Sequence, residues 1–299
     1  MKAIVNLARA ALIALAVIAF LAGFGNAQPF FELLSNFTLH LFIATGAILV
    51  IFVIIRRPYE VVAALVLLVI HGMVLLPYWT ASGDPWPVGA GRSFSALQYN
   101  VRYDNENVDG IAARIRDSDA DIVALHELTT QQWQRLSGLL AMYPHRLVAA
   151  SPNVGQIPGR QPGGGMALLS KSPLRADELG EAVSPEDRRV LVARTTIAGT
   201  PLAIAGLHPH ASRAESDKVD LRRRQLDAVV DYLSDAGGAG IVLADLNASP
   251  TSSLYRGFLS DLGWHDPRHR AGWQSTWSLF GLLPGLPIDH VFVSDDIAI

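Results

Sequence analysis

The sequence predicts an α/β domain that follows three transmembrane helices. Apolar residues make up 50% of the 299-residue chain, and their excess is concentrated in residues 1–80. Farther along, strand-like apolar runs alternate with helix-like segments, which is typical of an α/β architecture. We therefore expect a membrane segment over residues 1–80, a Gly- and Pro-rich linker over 81–91 and a soluble domain over 92–299.

Three apolar stretches form the predicted membrane segment, at about residues 3–23, 37–55 and 61–79. Each one reaches or approaches the ~20 residues that a helix needs to cross a hydrocarbon core of ~30 Å. None has the polar face that a helix buried in a soluble protein normally shows. We therefore favour membrane helices over buried helices of a soluble domain.

The basic residues of the short loops predict the orientation of these helices. Lys2, Arg9 and the pair at 56–57 flank the apolar stretches, whereas the loop at 25–36 has no basic residue. Basic loops stay in the cytoplasm. A multi-pass protein with residues 81–299 on the far side of the membrane follows, which is the periplasm in a bacterium.

Two features within the apolar region allow other interpretations. Gly25 and Ala27 are small residues before a possible signal-peptide cleavage at Gln28, which would leave the side of the domain unchanged. His40 and His71 lie within or at the edge of the stretches, where ionisable groups are functional candidates. For both histidines we favour a neutral imidazole bonded to a neighbouring helix.

The elements of the soluble domain follow from periodicity. Helices are predicted at about Asp109–Asp117, Thr130–Leu140 and Glu215–Leu233. The loop Pro152–Gly165 is long enough to form the rim of a site. Strands are predicted at residues 93–101, 121–128, 165–171, 190–197, 201–208, 240–247 and 288–294.

Charge and cysteine content exclude some functions. Residues 1–80 hold only four of the 24 basic and two of the 27 acidic residues, so residues 81–299 have a formal charge of −5. This acidic balance argues against nucleic-acid binding by non-specific electrostatics alone. The absence of cysteine excludes disulfides, thiolate metal sites and cysteine nucleophiles.

Polar residues that suit phosphate chemistry stand at the predicted strand ends. Each one alone would be an ordinary cap or turn residue, but their joint occurrence is harder to explain in that way. The strand ends carry Asn100, Glu127, His208, Asp245 and Asn247, and Asp289 lies just inside a further strand.

From Ser93 to the end, this pattern resembles the endonuclease/exonuclease/phosphatase superfamily, which includes deoxyribonuclease I, abasic-site endonucleases, neutral sphingomyelinases and inositol-polyphosphate 5-phosphatases. Five motifs stand in the order of that family. They are LQYN with Asn100, ALHEL with Glu127, GLHPH with His208, LADLN with Asp245 and Asn247, and STW followed by PIDHVFVS with Asp289.

The chain departs from the family pattern in three places. His126 stands where the family usually has Gln, and Ala244 stands where it has Gly. The family's terminal Ser-Asp-His-x-Pro segment is not reached before Ile299. The pair at 289–290 is no substitute, since no Pro follows it. We therefore expect a C-terminal truncation and a nearly inactive chain, because the missing His would move the proton.

The resemblance implies a four-layered α/β sandwich like that of deoxyribonuclease I, with two mostly antiparallel sheets face to face, helices outside, and the last strand or strands missing. It also implies hydrolysis of phosphate esters with Mg²⁺ or Mn²⁺. Glu127, Asn100 and Asp289 are the predicted metal-site residues, and their oxygen donors suit a hard cation.

The remaining site residues take catalytic roles in the same comparison. Asp245 would orient or deprotonate the attacking water. Asn247 and His208 would donate hydrogen bonds to phosphate oxygens. His210, two residues farther on, is a second candidate contact.

The predicted partners are a phosphate-ester substrate, either a nucleic acid or a phospholipid, and the membrane. No obligate protein partner is evident from the sequence. Two alternatives to a nuclease-like phosphodiesterase remain: a lipid phosphodiesterase of the sphingomyelinase type, and a catalytically inactive membrane-tethered binding module.

Overall fold

The architecture is taken from a computed structural model. It describes residues 2–25, 28–80, 93–152, 165–179, 183, 188–197, 199–210, 216–270, 272–278, 281 and 284–298. The predicted linker 81–91, most of the loop 152–165 and Ala27 lie outside these residues.

The chain begins with four helices, which with the short 3-10 helix Leu76–Tyr78 are here called the N-terminal helical module. The helix α1 and the segment Pro58–Tyr78 are long and apolar enough to cross a membrane. The pair α2 and α3, bent by 59°, is a third candidate if counted as one span. The helices are α1 (Lys2–Ala22), α2 (Pro29–Ser35), α3 (Thr38–Ile54) and α4 (Pro58–Leu75).

The predicted apolar stretches therefore correspond to α1, α3 and α4, whereas α2 was not predicted. Helix α2 lies in the segment that the sequence analysis treated as a loop. It has only seven residues, too few for a periodic pattern to stand out.

The first sheet of the domain has the strand order β1-β2-β4-β3. Strands β1 and β2 are parallel, and the other neighbours are antiparallel. Helices α5 (Val108–Ser118) and α6 (Thr130–Leu139) supply much of the apolar cluster on one face of this sheet. The strands are β1 (Ala96–Asn100), β2 (Ile122–His126), β3 (His145–Ala149) and β4 (Met166–Ser170).

The second sheet has the strand order β5-β6-β7-β8-β9, in which only β7 and β8 are parallel neighbours. Helices α7 (Ser216–Ala236) and α8 (Ser253–Leu262) contribute to the apolar cluster on its outer face. The strands are β5 (Arg175–Ala176), β6 (Val190–Ile197), β7 (Thr200–Leu207), β8 (Gly240–Asp245) and β9 (Asp289–Val293).

The two sheets share a third apolar cluster, which combines residues such as Ile122 and Leu168 of the first sheet with Ile204 and Leu243 of the second. Gly206 permits close approach here, because a Cβ atom at this position would lie 2.9 Å from the Met166 side chain. Helices, sheet, sheet and helices thus form four layers. The predicted α/β sandwich is confirmed.

The N-terminal helical module packs against the domain. Glu32 of α2 and Arg222 of α7 form an ion pair of 2.7 Å, with side chains only 3% and 7% exposed. His40 Nε2 donates to the Pro284 carbonyl oxygen at 2.7 Å. The prediction that His40 bonds to a neighbouring helix is therefore wrong, because its partner is a loop residue of the domain. His71 is buried, and its Nε2 has no partner among the residues described.

Candidate active site

The site lies where strand ends of both sheets meet. Parallel pairing places the ends of β1 and β2 side by side, and the ends of β7 and β8 likewise. Glu127 follows β2, His208 follows β7 and Asp245 ends β8. One ligand atom of each of these three side chains lies within 4.8 Å of the other two. The predicted convergence of these three residues is therefore present.

Two of the site residues have left-handed backbone conformations. The φ angle is 58° at Glu127 and 51° at Asn247, each just beyond the end of a strand. Asn adopts this region more readily than most residues, whereas a long side chain such as Glu rarely does. Strained conformations of this kind cluster at functional sites, which agrees with the position of both residues.

Asn100 connects the carboxylates of the two sheets. Its Nδ2 atom donates to Glu127 Oε1 at 3.0 Å and to Asp245 Oδ2 at 2.8 Å. Its Oδ1 atom accepts a hydrogen bond from the Arg102 backbone N–H at 2.9 Å. In this conformation Asn100 orients both carboxylates, and a role as a carbonyl-oxygen ligand requires the amide to turn.

His208 lies between the two carboxylates. Its Nε2 atom is 3.7 Å from Glu127 Oε1, and its Nδ1 atom is 3.6 Å from Asp245 Oδ2. Nδ1 also bonds to the main-chain oxygen of Asp245 at 3.2 Å, and since a carbonyl can only accept, Nδ1 carries the proton of the neutral ring. Nε2 therefore faces Glu127 as an acceptor unless the ring is protonated.

The charge state of His208 depends on its surroundings. Burial, together with the positive charge of Arg189, lowers the pKa of His208 to about 4, although the negative charge of Glu127 opposes the shift. The imidazole is therefore neutral at pH 7. An additional negative charge near Nε2 would raise this pKa and favour the protonated, donating form.

The acidic residues of the site are crowded. Burial raises the pKa of Asp245 to about 6, although hydrogen bonds from Asn100 and from the Asn247 backbone N–H, the latter 3.0 Å long, oppose the shift. Burial and the charge of Asp245 raise the pKa of Asp289. A cation bound here would offset this mutual repulsion, and the carboxylate oxygens suit a hard divalent ion. The residues present fit such an ion.

Asp289 sits beside this cluster, opposite Asp245 in the pairing of β8 with β9. Its Oδ1 atom accepts a hydrogen bond from Gln98 Nε2 at 2.8 Å, so a residue of the first sheet holds a carboxylate of the second. Among the residues described, Asp289 does not belong to the group of Glu127, His208 and Asp245 that could hold a metal ion. Its predicted contact with a metal ion stays a prediction.

Gln98 is a site residue that the sequence analysis missed. Besides Asp289, its Nε2 atom donates to His126 Nδ1 at 2.8 Å, and the buried His126 ring stacks on His208 with ring centroids 5.7 Å apart. The spacing held a signal, because residues two apart on a strand share a face and Gln98 precedes Asn100 by two. His126 thus contacts both Gln98 and His208.

Arg189 was also missed, and its sequence context gives no signal. The His208 backbone N–H donates to the Arg189 carbonyl at 2.8 Å, and the Arg189 guanidinium donates to the His208 carbonyl at 3.3 Å. His210, the second predicted contact, is partly buried two residues beyond His208.

The two-sheet sandwich and the cluster at its edge define a deoxyribonuclease I-like α/β protein. The chain belongs to the Endonuclease/Exonuclease/phosphatase family, whose model matches residues 97–299. Members of this family are hydrolases that act on phosphate esters. A search of curated proteins gave no match.

Solved structures with the same fold cover the domain. A double mutant of beta toxin from Staphylococcus aureus with bound magnesium ions is 14% identical, with a TM-score of 0.52 over 69% of this chain and 85% of that one. SmcL is 20% identical, with a TM-score of 0.51 over 69% and 84%. Humanized D. rerio TDP2 is 19% identical, with a TM-score of 0.50 over 67% and 83%. At these identities the likeness shows the fold.

Proposed function

We propose that this protein is a membrane-anchored, metal-dependent phosphodiesterase that hydrolyses phosphate esters with Mg²⁺ or Mn²⁺. The observation that carries the proposal is the group of Glu127, His208 and Asp245, whose ligand atoms lie within 4.8 Å of one another at the joint edge of both sheets. The magnesium ions named for the beta toxin structure support the choice of metal.

The metal would be held by Glu127, with Asn100 and Asp289 as further candidates. When bound, it would neutralise charge on the phosphoryl oxygens and on the leaving oxygen. Asp245 would orient the attacking water and accept its proton, because a carboxylate whose pKa is raised to about 6 is a stronger base than an ordinary Asp. Asn247 and His208 would donate hydrogen bonds to the phosphate oxygens, where negative charge develops.

A metal-dependence assay tests this proposal. In the full-length protein we expect hydrolysis of bis-p-nitrophenyl phosphate with Mg²⁺ or Mn²⁺, loss of this activity in excess EDTA, and its return when the metal is restored. Undiminished hydrolysis in EDTA would contradict the metal role. Absence of hydrolysis with every divalent ion, together with tight binding of phosphate esters, would favour the inactive binding module.

A lipid substrate is the second candidate, and one observation favours it. A buried ion pair, Arg222 with Glu32, joins the domain to the N-terminal helical module, which includes helices long enough to cross a membrane. The acidic balance of residues 81–299 gives nucleic acid no general electrostatic advantage. Comparing hydrolysis of a phospholipid or sphingomyelin in vesicles with cleavage of an oligonucleotide separates the two substrate classes.

The orientation in the membrane is a further part of the proposal. Contacts to the domain come from Glu32, His40 and Tyr78. Arg9 and Glu60 instead pair with each other. This arrangement agrees with a basic cytoplasmic end and a domain on the other side.

Reporter fusions test the orientation. We expect alkaline phosphatase fused after residue 79 to be active, because the third helix would carry it to the periplasm. A fusion after residue 57 is the matched control, and there β-galactosidase should be the active reporter. The reverse pattern would place the domain in the cytoplasm.

A further inference from the structure

The loop that follows β8 (residues 246–252) carries Asn247. Several elements hold it by hydrogen bonds. The Leu246 N–H donates to the Ile288 carbonyl at 2.9 Å. His290 Nε2 donates to the Ala248 carbonyl at 2.7 Å. Both contacts come from the domain itself, from β9 and the residue just before it.

The other half of this loop is bonded by the N-terminal helical module. The Ser249 N–H donates to Asn36 Oδ1 at 2.5 Å, and the Ser249 hydroxyl donates to the Asn36 carbonyl at 3.2 Å. The Thr251 hydroxyl donates to the Ser35 carbonyl at 2.7 Å. The Pro250 carbonyl accepts a hydrogen bond from the Tyr78 hydroxyl at 2.8 Å. Three consecutive residues of the loop thus depend on the helices.

These contacts are shielded from water, so water cannot replace them. Ser249 is 0% exposed, and Thr251, Ser35 and Asn36 are also buried. A buried N–H that loses its acceptor pays the full cost of desolvation. The Asn36 amide is itself held in place, because its Nδ2 donates to the Glu32 carbonyl at 3.2 Å. Asn36 therefore offers Ser249 a fixed acceptor.

We propose that Asn36 is a positioning residue of the active site: by holding the Ser249 N–H, it sets the backbone that presents Asn247 two residues earlier. The role of Asn247 rests on the proposed function, whereas the contact itself does not. The N-terminal helical module is then a structural part of the site as well as an anchor.

Hydrogen exchange of the full chain in detergent micelles tests this contact directly. We expect Asn36→Ala to speed amide exchange in residues 246–252 by about tenfold, while the β6 and β7 amides keep their rates. Asn36→Asp retains an acceptor oxygen but loses the donation to the Glu32 carbonyl, so it should restore part of the protection. Glu60→Gln is the control, since it removes an ion pair of the same module that does not touch the loop.

Kinetics of the same variants give the second readout. With bis-p-nitrophenyl phosphate, Asn36→Ala should lower kcat by about tenfold or more with little change in KM, because the reacting geometry is disturbed while binding persists. Asn36→Asp should recover part of this rate.

Three outcomes would overturn the proposal: unchanged exchange in residues 246–252 of Asn36→Ala, faster exchange spread evenly over the domain, or a wild-type kcat in that variant when the wild type is active. If the wild type does not hydrolyse the substrate, the proposed function fails, and the exchange comparison still decides whether Asn36 positions the loop.

Discussion

Replacing Glu127 with Gln is expected to reduce phosphate-ester hydrolysis by about 10³-fold. The substitution keeps the shape of the side chain and an oxygen that can accept the hydrogen bond from Asn100. It removes the negative charge that would hold the cation. Because a bound metal contributes several kcal/mol of charge stabilisation, and each 1.36 kcal/mol is tenfold in rate, a loss of this size follows.

Two measurements check this expectation. Initial rates with bis-p-nitrophenyl phosphate give the activity, and Mn²⁺ titration followed by electron paramagnetic resonance gives the metal affinity. Glu178→Gln is the matched control, because Glu178 is an exposed carboxylate outside the site. Wild-type rates or wild-type Mn²⁺ affinity in Glu127→Gln would remove Glu127 from the metal site.

Replacing His208 with Ala is expected to reduce hydrolysis by about 10²–10³-fold, the range found when one donor to a developing oxyanion is removed. The predicted role is donation to a phosphate oxygen, which requires the protonated ring, since the neutral ring presents Nε2 as an acceptor. A phosphate ester beside Nε2 supplies the negative charge that favours this form. His208→Gln keeps a side-chain N–H and should retain part of the activity.

Mn²⁺ binding separates this role from metal ligation. The His208 ring lies within the three-residue group that could hold an ion. If His208 contacts only the phosphate, Mn²⁺ affinity should stay within about threefold of the wild type in His208→Ala, a change of less than 1 kcal/mol. A large loss of Mn²⁺ affinity would make His208 a ligand instead, and an unchanged rate would exclude both roles.

Local patterns were sufficient to predict the elements that hold the site. Asn100, Glu127 and Asp245 follow or end runs of apolar residues long enough to form buried strands, and polar residues at such ends are visible in the sequence itself. The parallel pairs β1–β2 and β7–β8 then bring these ends to one edge. The face-to-face packing of the two sheets was predicted from the resemblance of five motifs to the family, because periodicity alone does not predict it.

Contacts between distant segments were beyond the reach of the sequence. Gln98 and Asp289 are 191 residues apart, and Asn36 and Ser249 are 213 residues apart. Nothing in either local sequence marks its partner, since an amide beside a strand or a helix end is common on any protein surface. The strand β5 has two residues, too few for any periodicity. Very short elements and contacts between residues far apart in the sequence were therefore not predictable.

The ion pair between Arg222 and Glu32 also bears on how the molecule assembles. It joins residues 190 positions apart, and both side chains are nearly inaccessible to solvent. A buried charge that loses its counter-ion costs about 3–5 kcal/mol, far more than a mismatched apolar contact. A rotated or shifted helical module would separate this guanidinium from this carboxylate. The pair thus selects one orientation among many that apolar surfaces would tolerate. It gives the assembly a specificity that apolar helices lack.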